Sequence, residues 1–112
     1  GIADEENIRN AVVRGIDTLD SCYPTRLARH GTILTREEGT IKIKSGKHSH
    51  SFGMKLDPQC NCSTCQHYDR AYIWHLFKAN EPLAITFAAA HNVHYMNDLM
   101  ADIRDDILHD RI

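Results

Sequence analysis

Hydrophobic spacing changes several times along this chain, and each change predicts an element. In residues 4–14, Ile8 and Val12 lie four apart, as on one helix face; Asp4 suits an N-cap and Gly15 a stop. Glu5 and Glu6 favour the positive end of that helix, and Arg14 its last turn. Residues 15–22 are short and bounded by Gly15 and Pro24, which predicts a strand. A helix leading into a strand is the α-to-β step of an α/β fold. Residues 32–35 and 40–44 alternate apolar and polar on either side of Arg36-Glu37-Glu38-Gly39, a hairpin pattern. Residues 45–52 read as a loop, with His48 and His50 alternating with Ser49 and Ser51. Tyr68, Tyr72 and Leu76 recur every four residues, predicting a helix over 66–79 that Asn80-Glu81-Pro82 ends. Leu83, Phe87, Ala90, Leu99, Ile103 and Ile107 then mark a long helix over 83–109, with His91 and His94 inside it. Tyr72, Trp74 and Phe77 follow the helical pattern and are expected in the core rather than on a base-stacking platform.

Composition narrows the class. At 112 residues there is room for one small domain. A formal net charge of −2 gives no general cationic field, so binding to nucleic acid must come from a local basic cluster. No signal-peptide pattern, membrane-length apolar run, low-complexity segment or repeat is present in the sequence, and a cytoplasmic protein is expected. The sequence opens at Gly1, directly before an amphipathic pattern and without an initiator methionine. The strand over 15–22 has no evident partner of its own kind. Both features predict a piece of a larger protein.

Chemistry concentrates in Cys60-x-Cys62-x-x-Cys65, three thiols in six residues. Soft thiolate and imidazole donors in a tetrahedron select zinc, and a closed set of four protein ligands is structural rather than catalytic. Two disulfides are the weaker reading, since Cys60-x-Cys62 is too tight to staple a fold and the expected compartment is reducing. Spacing leaves the fourth ligand open among His75, His91 and His94; His67 lies too near Cys65 to close a relaxed tetrahedron. Cys22 stands apart with no histidine placed to activate it, which predicts a small buried residue.

Asp20 is the sharpest catalytic candidate. Strand alternation puts Ile16, Thr18 and Asp20 on one face and Asp17, Leu19 and Ser21 on the other. Asp20 would then be the polar end of a mostly apolar face at a strand's carboxyl end, where parallel α/β folds and barrels carry their active groups. The blander reading, favoured by position alone, is a carboxylate capping the turn before Pro24, and Asp17 is expected to be solvated or capping. Arg26 and Arg29 follow three apart, a guanidinium pair able to grip phosphates or base edges, though surface arginines are the commoner case.

Taken together, residues 15–31, in Gly15-Ile16-Asp17-Thr18-Leu19-Asp20-Ser21-Cys22-Tyr23-Pro24-Thr25-Arg26-x-x-Arg29-x-Gly31, closely resemble the active-site segment of tRNA-guanine transglycosylases. Asp57-Pro58-x-Cys60-x-Cys62-x-x-Cys65, Arg70-Ala71-Tyr72 and His91-Asn92 resemble that family's zinc-binding stretch in the same order. The resemblance covers essentially the whole chain. It implies Asp20 as the nucleophile, Cys60, Cys62, Cys65 and His91 as ligands of a structural zinc, and Thr25, Arg26 and Arg29 in a segment that contacts the tRNA anticodon loop. The implied fold is α/β: the last helices and eighth strand of a (β/α)8 TIM barrel with an attached zinc-binding subdomain. Residues 1–31 would end the barrel, 32–80 form the zinc-binding subdomain, and 81–112 the C-terminal helix packing on both. Leu19 and Ser21 depart from the Phe and Cys frequent in the family, flanking Asp20 without replacing it.

The implied reaction is base exchange at guanine-34 of tRNAs with a GUN anticodon. A carboxylate attacks C1′, guanine leaves, and a 7-deazaguanine displaces the carboxylate with overall retention. A carboxylate is ionised at neutral pH and needs no base to activate it. The family's base pocket and second catalytic aspartate belong to earlier barrel strands, so the chain alone is expected to be inactive. PreQ1 is the expected base, with queuine and preQ0 open, and the full-length protein is expected to pair as a homodimer. Two rivals remain: a non-catalytic zinc-stapled RNA-binding or dimerisation subunit, which has no need of Asp20, and an unrelated zinc-binding interaction domain, which would hide its apolar surface unaided. The barrel reading instead expects an exposed apolar flank on the first helix and strand.

Overall fold

The computed structural model describes residues 4–111. The first helix, α1 (Glu5–Val13), is capped by the Asp4 carboxylate, which accepts the Asn7 backbone N–H at 2.9 Å. Gly15 ends it with φ +99, a conformation open to glycine. From Gly15 to Ser21 the chain forms no ladder. The expected strand is absent because a strand needs a neighbour to receive its N–H and C=O groups, and the sheet among the described residues is a two-stranded hairpin elsewhere. The expected faces also change: Ile16 is exposed, whereas Leu19 packs beside Ile8, Leu99 and Ile103.

A second helix, α2 (Tyr23–Arg29), follows where only a turn was expected. Pro24 stands in its first turn, where a missing N–H costs nothing, so it starts the helix rather than stopping the chain. Cys22, at its N-cap, is exposed rather than buried. The hairpin forms as patterned: β1 (Thr32–Leu34) pairs antiparallel with β2 (Thr40–Lys42), with Ile33 opposite Ile41. The following loop contains a single 3₁₀ turn at Gly46–His48.

The helix expected over 66–79 is two. The short α3 (Ser63–His67) stops at Tyr68, whose φ of −135° and ψ of 152° are extended. Asp69 then caps α4 (Arg70–Lys78) by accepting the Tyr72 N–H at 2.8 Å. Phe77 is buried, but Trp74 is half-buried and Tyr72 exposed, correcting the expectation of a core position for all three. Tyr72 instead stacks on Tyr68, which stacks on Phe87. The long helix α5 (Pro82–Leu108) spans 27 residues, about 40 Å at 1.5 Å per residue. Its buried face runs through Ala84, Ala88, His91, Asn92, Leu99 and Ile103, while Leu83, Ala90 and Ile107 point outward.

This helix is the shared wall of two cores. Its first half packs with the hairpin, the cysteines and α4, and its second half with Ile8 of α1. An ion pair of 3.0 Å from Arg9 to Asp106 ties α1 to its end. Val13 and Ile16 remain 68% and 46% exposed, an apolar flank on α1 and the segment after it.

Candidate metal centre and the Asp20 cavity

The cysteine loop is shaped before any ligand is considered. Asp57, fully buried, accepts the backbone N–H of Arg36 with one oxygen and that of Gln59 with the other, each at 3.0 Å. Cys60 N–H returns to the Asp57 carbonyl at 3.0 Å, closing the turn. Arg70, buried at the start of α4, donates to the carbonyls of Lys55 and Leu56 at 2.9 Å each and to Glu38 at 2.8 Å. Its guanidinium thus joins the hairpin turn to the strand of chain entering the loop. Within the loop, Cys60 Sγ accepts the Cys62 N–H at 3.3 Å, and Cys62 Sγ accepts the Cys65 N–H at 3.4 Å while capping α3. Sulfurs that accept N–H bonds carry negative charge more readily.

α5 supplies the fourth donor. Thr64 donates to the Phe87 carbonyl at 2.9 Å and docks α3 on it one turn before His91. His91 Nδ1 then lies 3.4 Å from Cys62 Sγ and 3.3 Å from Cys65 Sγ. Donor atoms of Cys60, Cys62, Cys65 and His91 all lie within 4.8 Å of one another, and all four residues are buried. The other histidines do not join this group. His67 turns its Nδ1 to the Ser63 carbonyl at 2.8 Å, and His75 is exposed. His94 sits at the rim, 3.7 Å from Cys60 Sγ, facing Asp98 at 3.3 Å.

The electrostatics ask for a cation. Cys62 is held well below the usual thiol range, first by the Cys65 hydrogen bond and, against burial, by His91. Cys65 is pushed far up by the Cys62 bond and by burial. His91 is pulled down by burial, yet its bonds to Cys60, Cys62 and the Leu34 carbonyl raise it to about 10. Three sulfurs and an imidazole this close and this buried oppose one another's charge. A divalent ion lets the sulfurs ionise together and the imidazole stay neutral. The residues present therefore fit a metal, and all four cysteines are free thiols.

Asp20 lies elsewhere, on the unpaired segment, exposed and lining an open cavity of about 340 Å³. Ile8, Leu19, Val93, Met96 and Met100 supply its apolar wall, and Ser21, Pro24 and Thr25 its rim. Thr25 Oγ1 donates to the Cys22 carbonyl at 3.1 Å, and Arg26 and Arg29 stand exposed in the last turn of α2. Cavity and metal cluster share no residue. Asn92, which the resemblance includes beside His91 without a role of its own, stands between them: it bonds Leu34, Thr32 and Pro24. A polar residue inside the buried stripe of a long helix was the available signal for it, as the buried Arg70 was for α4.

The architecture thus defines a mixed α/β unit built round a buried Cys3His centre, with a carboxylate-bearing cavity alongside. The family model described as queuine tRNA-ribosyltransferase matches residues 1–112, and the chain belongs to that family. Over its whole length the chain is 47% identical to the queuine tRNA-ribosyltransferase of Chlamydia abortus. It is 39% and 41% identical to those of Lactococcus lactis subsp. cremoris and Bacillus thuringiensis. It spans 30, 29 and 29% of these relatives, respectively. No helix among the described residues is long and apolar enough to cross a membrane.

Proposed function

We propose that this chain is the part of a cytoplasmic tRNA-guanine transglycosylase that carries the nucleophile, Asp20, beside a structural zinc subdomain. The observation that carries the reading is Asp20 lining an open cavity in a chain matched end to end by the family. The Asp20 carboxylate attacks C1′ of guanosine-34 in a GUN anticodon, and the C1′–N9 electron pair leaves with guanine. An ester to the ribose results. N9 of a 7-deazaguanine, preQ1 in our reading, then gives up its proton to the remainder of the barrel, displaces the carboxylate and restores a β-glycosidic bond. Protonation of the departing guanine falls to the remainder of the barrel.

Residues 1–31 are the barrel's closing part, 32–80 the zinc subdomain, and 81–112 the helix that braces both. The exposed Val13 and Ile16 support this, being surface that further barrel elements would cover. Zinc would be held by the sulfurs of Cys60, Cys62 and Cys65 and by His91 Nδ1. Four protein ligands leave no open position, so the ion's contribution is to fasten α5 to the cysteine loop. Thr25, Arg26 and Arg29 contact the anticodon loop. The exposed Tyr72 and Tyr68, stacked on the half-buried Phe87, support pairing of two full-length subunits beside the zinc subdomain.

The test is exchange of labelled guanine into a GUN tRNA by the full-length protein, with trapping of the covalent RNA adduct. Wild type is expected to exchange and to form the adduct; Asp20→Asn is expected to keep its fold and zinc and form none. An adduct in the variant removes Asp20 from the role, and a wild type without exchange favours a non-catalytic subunit.

A further inference from the structure

We propose that Asn92 is a positioning residue, holding the start of α2, and with it the Asp20 segment, against the same strand that orients the metal ligand His91. The inference rests on the reading of Asp20 as nucleophile.

Asn92 is fully buried, and its side-chain amide is spent on three backbone groups. Oδ1 accepts the Leu34 N–H at 3.0 Å. Nδ2 donates one proton to the Thr32 carbonyl at 3.0 Å and the other to the Pro24 carbonyl at 3.1 Å. One acceptor and two donors on a two-carbon stem are the asparagine inventory; aspartate offers no proton at neutral pH, and leucine neither function. Two of these bonds hold β1. The third leaves the strand and reaches α2.

Pro24 lies four residues from Asp20, and little slack separates them. Ser21 Oγ accepts the Tyr23 N–H at 3.1 Å, Thr25 Oγ1 donates to the Cys22 carbonyl at 3.1 Å, and Arg26 N–H donates to the same carbonyl at 2.9 Å. The far end of α2 is fixed separately, through Gly31 N–H to the Ala28 carbonyl and Ile43 N–H to the Gly31 carbonyl. Asn92 therefore fixes the end of α2 nearer Asp20.

The preceding residue completes the arrangement. His91 donates Nε2–H to the Leu34 carbonyl at 2.8 Å, so Leu34 gives its C=O to His91 and its N–H to Asn92. Consecutive residues of α5 grip both polar groups of one strand residue. One of them belongs to the metal cluster, and the other reaches the nucleophile's segment. Depth of α5 against β1, set by the metal cluster, is passed through Asn92 to Pro24.

The experiment compares full-length wild type with Asn92→Asp, which keeps the acceptor to Leu34 and loses both donors, and with the smaller Asn92→Ser. Zinc content, the rate of covalent adduct formation per zinc-loaded molecule, and backbone hydrogen exchange are measured. Both variants are expected to keep zinc, and Asn92→Asp to form adduct about 10- to 100-fold more slowly, as small misplacements of a reacting group do. The hydrogen-bonded amides of Tyr23 and Arg26 are expected to exchange about tenfold faster in Asn92→Asp, with those of Cys62 and Cys65 unchanged. Unchanged exchange at Tyr23 and Arg26 overturns the proposal, as does loss of zinc and protection throughout the chain in both variants, which makes Asn92 purely structural. A wild type that forms no adduct rejects the reading of Asp20 alone, because the exchange measurement still decides the positioning.

Discussion

His91 gives its Nε2 proton to the carbonyl oxygen of Leu34 at 2.8 Å, and the ring is thereby turned so that Nδ1 faces the sulfurs of Cys62 and Cys65. A carbonyl only accepts, so the proton sits on Nε2 and the Nδ1 lone pair is left for a cation. Outer-shell bonds of this kind set both the tautomer and the angle of a metal-binding imidazole. The strand β1 thus acts on the candidate metal centre although it contributes no donor atom to it.

Removing the ring should cost the metal. His91→Ala leaves three thiols and a buried Leu34 carbonyl without its donor. Zinc affinity is expected to fall by more than the roughly 10- to 100-fold typical of losing an outer-shell partner. Binding in such sites is worth about 10–16 kcal/mol at neutral pH, comparable to the whole stability of a domain. The variant, and wild type treated with chelator, should therefore lose the packing of α5 on the cysteine loop, read by metal analysis alongside thermal unfolding. Zinc-free protein that keeps its melting temperature and its activity would contradict a structural metal.

Acid should loosen the hairpin turn. Glu38 is held below the usual carboxylate range by its hydrogen bond to Arg70, whose guanidinium is buried. A depressed folded value contributes stability that is present above the unfolded value and lost as pH falls through the folded one. Glu38→Gln is therefore expected to be less stable than wild type at pH 7, with the gap closing below about pH 4. Denaturant titrations across that range check it, and a gap that widens on acidification refutes it. Arg70→Met should be worse at every pH, because it orphans the Lys55 and Leu56 carbonyls at about 1–3 kcal/mol each.

What could be read in advance followed from how local its cause is. The hairpin, α1 and α5 announce themselves through spacing and caps within a few residues of each other. Soft-donor chemistry likewise marks Cys60, Cys62 and Cys65, since few residue types bind such an ion. Choosing among His75, His91 and His94 needed the turn of α5 relative to β1, which no spacing contains; geometry puts His91 in the cluster and leaves His94 with Asp98. The strand over 15–22 failed for a related reason, a ladder being a property of two segments. Two misses were local and legible in principle. Pro24 is as good a helix start as a stop, and Asp69 is a plain N-cap that splits α3 from α4.

The aromatic stack offers a separate prediction. Tyr72 and Tyr68 are 41% and 36% exposed, with ring centroids 5.2 Å apart, and Tyr68 lies 4.5 Å from Phe87. Exposed stacked rings bury little within the subunit, so Tyr72→Ala should change the fold's stability by only about 0.5 kcal/mol. If the stack is an interface anchor, the same change weakens dimerisation by about 2 kcal/mol or more. Sedimentation of full-length wild type and variant over a dilution series reads this directly. An unchanged dimer constant removes the stack from the interface.

Arg26 and Arg29 stand three apart on α2, in its last turn, exposed and without a carboxylate partner among the described ion pairs. Side chains three apart on a helix share a face, so both can reach one stretch of RNA backbone. Each phosphate neutralised on a single strand releases counterions and adds about 0.7 to the slope of log affinity against log salt. Arg26→Ala and Arg29→Ala are each expected to lower that slope by about this amount for a GUN stem-loop bound to the full-length protein. Affinity for the free 7-deazaguanine should not change, because the base pocket is expected on the earlier barrel strands and not on α2. A variant that weakens RNA binding with its salt slope intact would mean that its arginine reads a base edge or supports α2, and one with no effect on RNA would return it to the solvated surface.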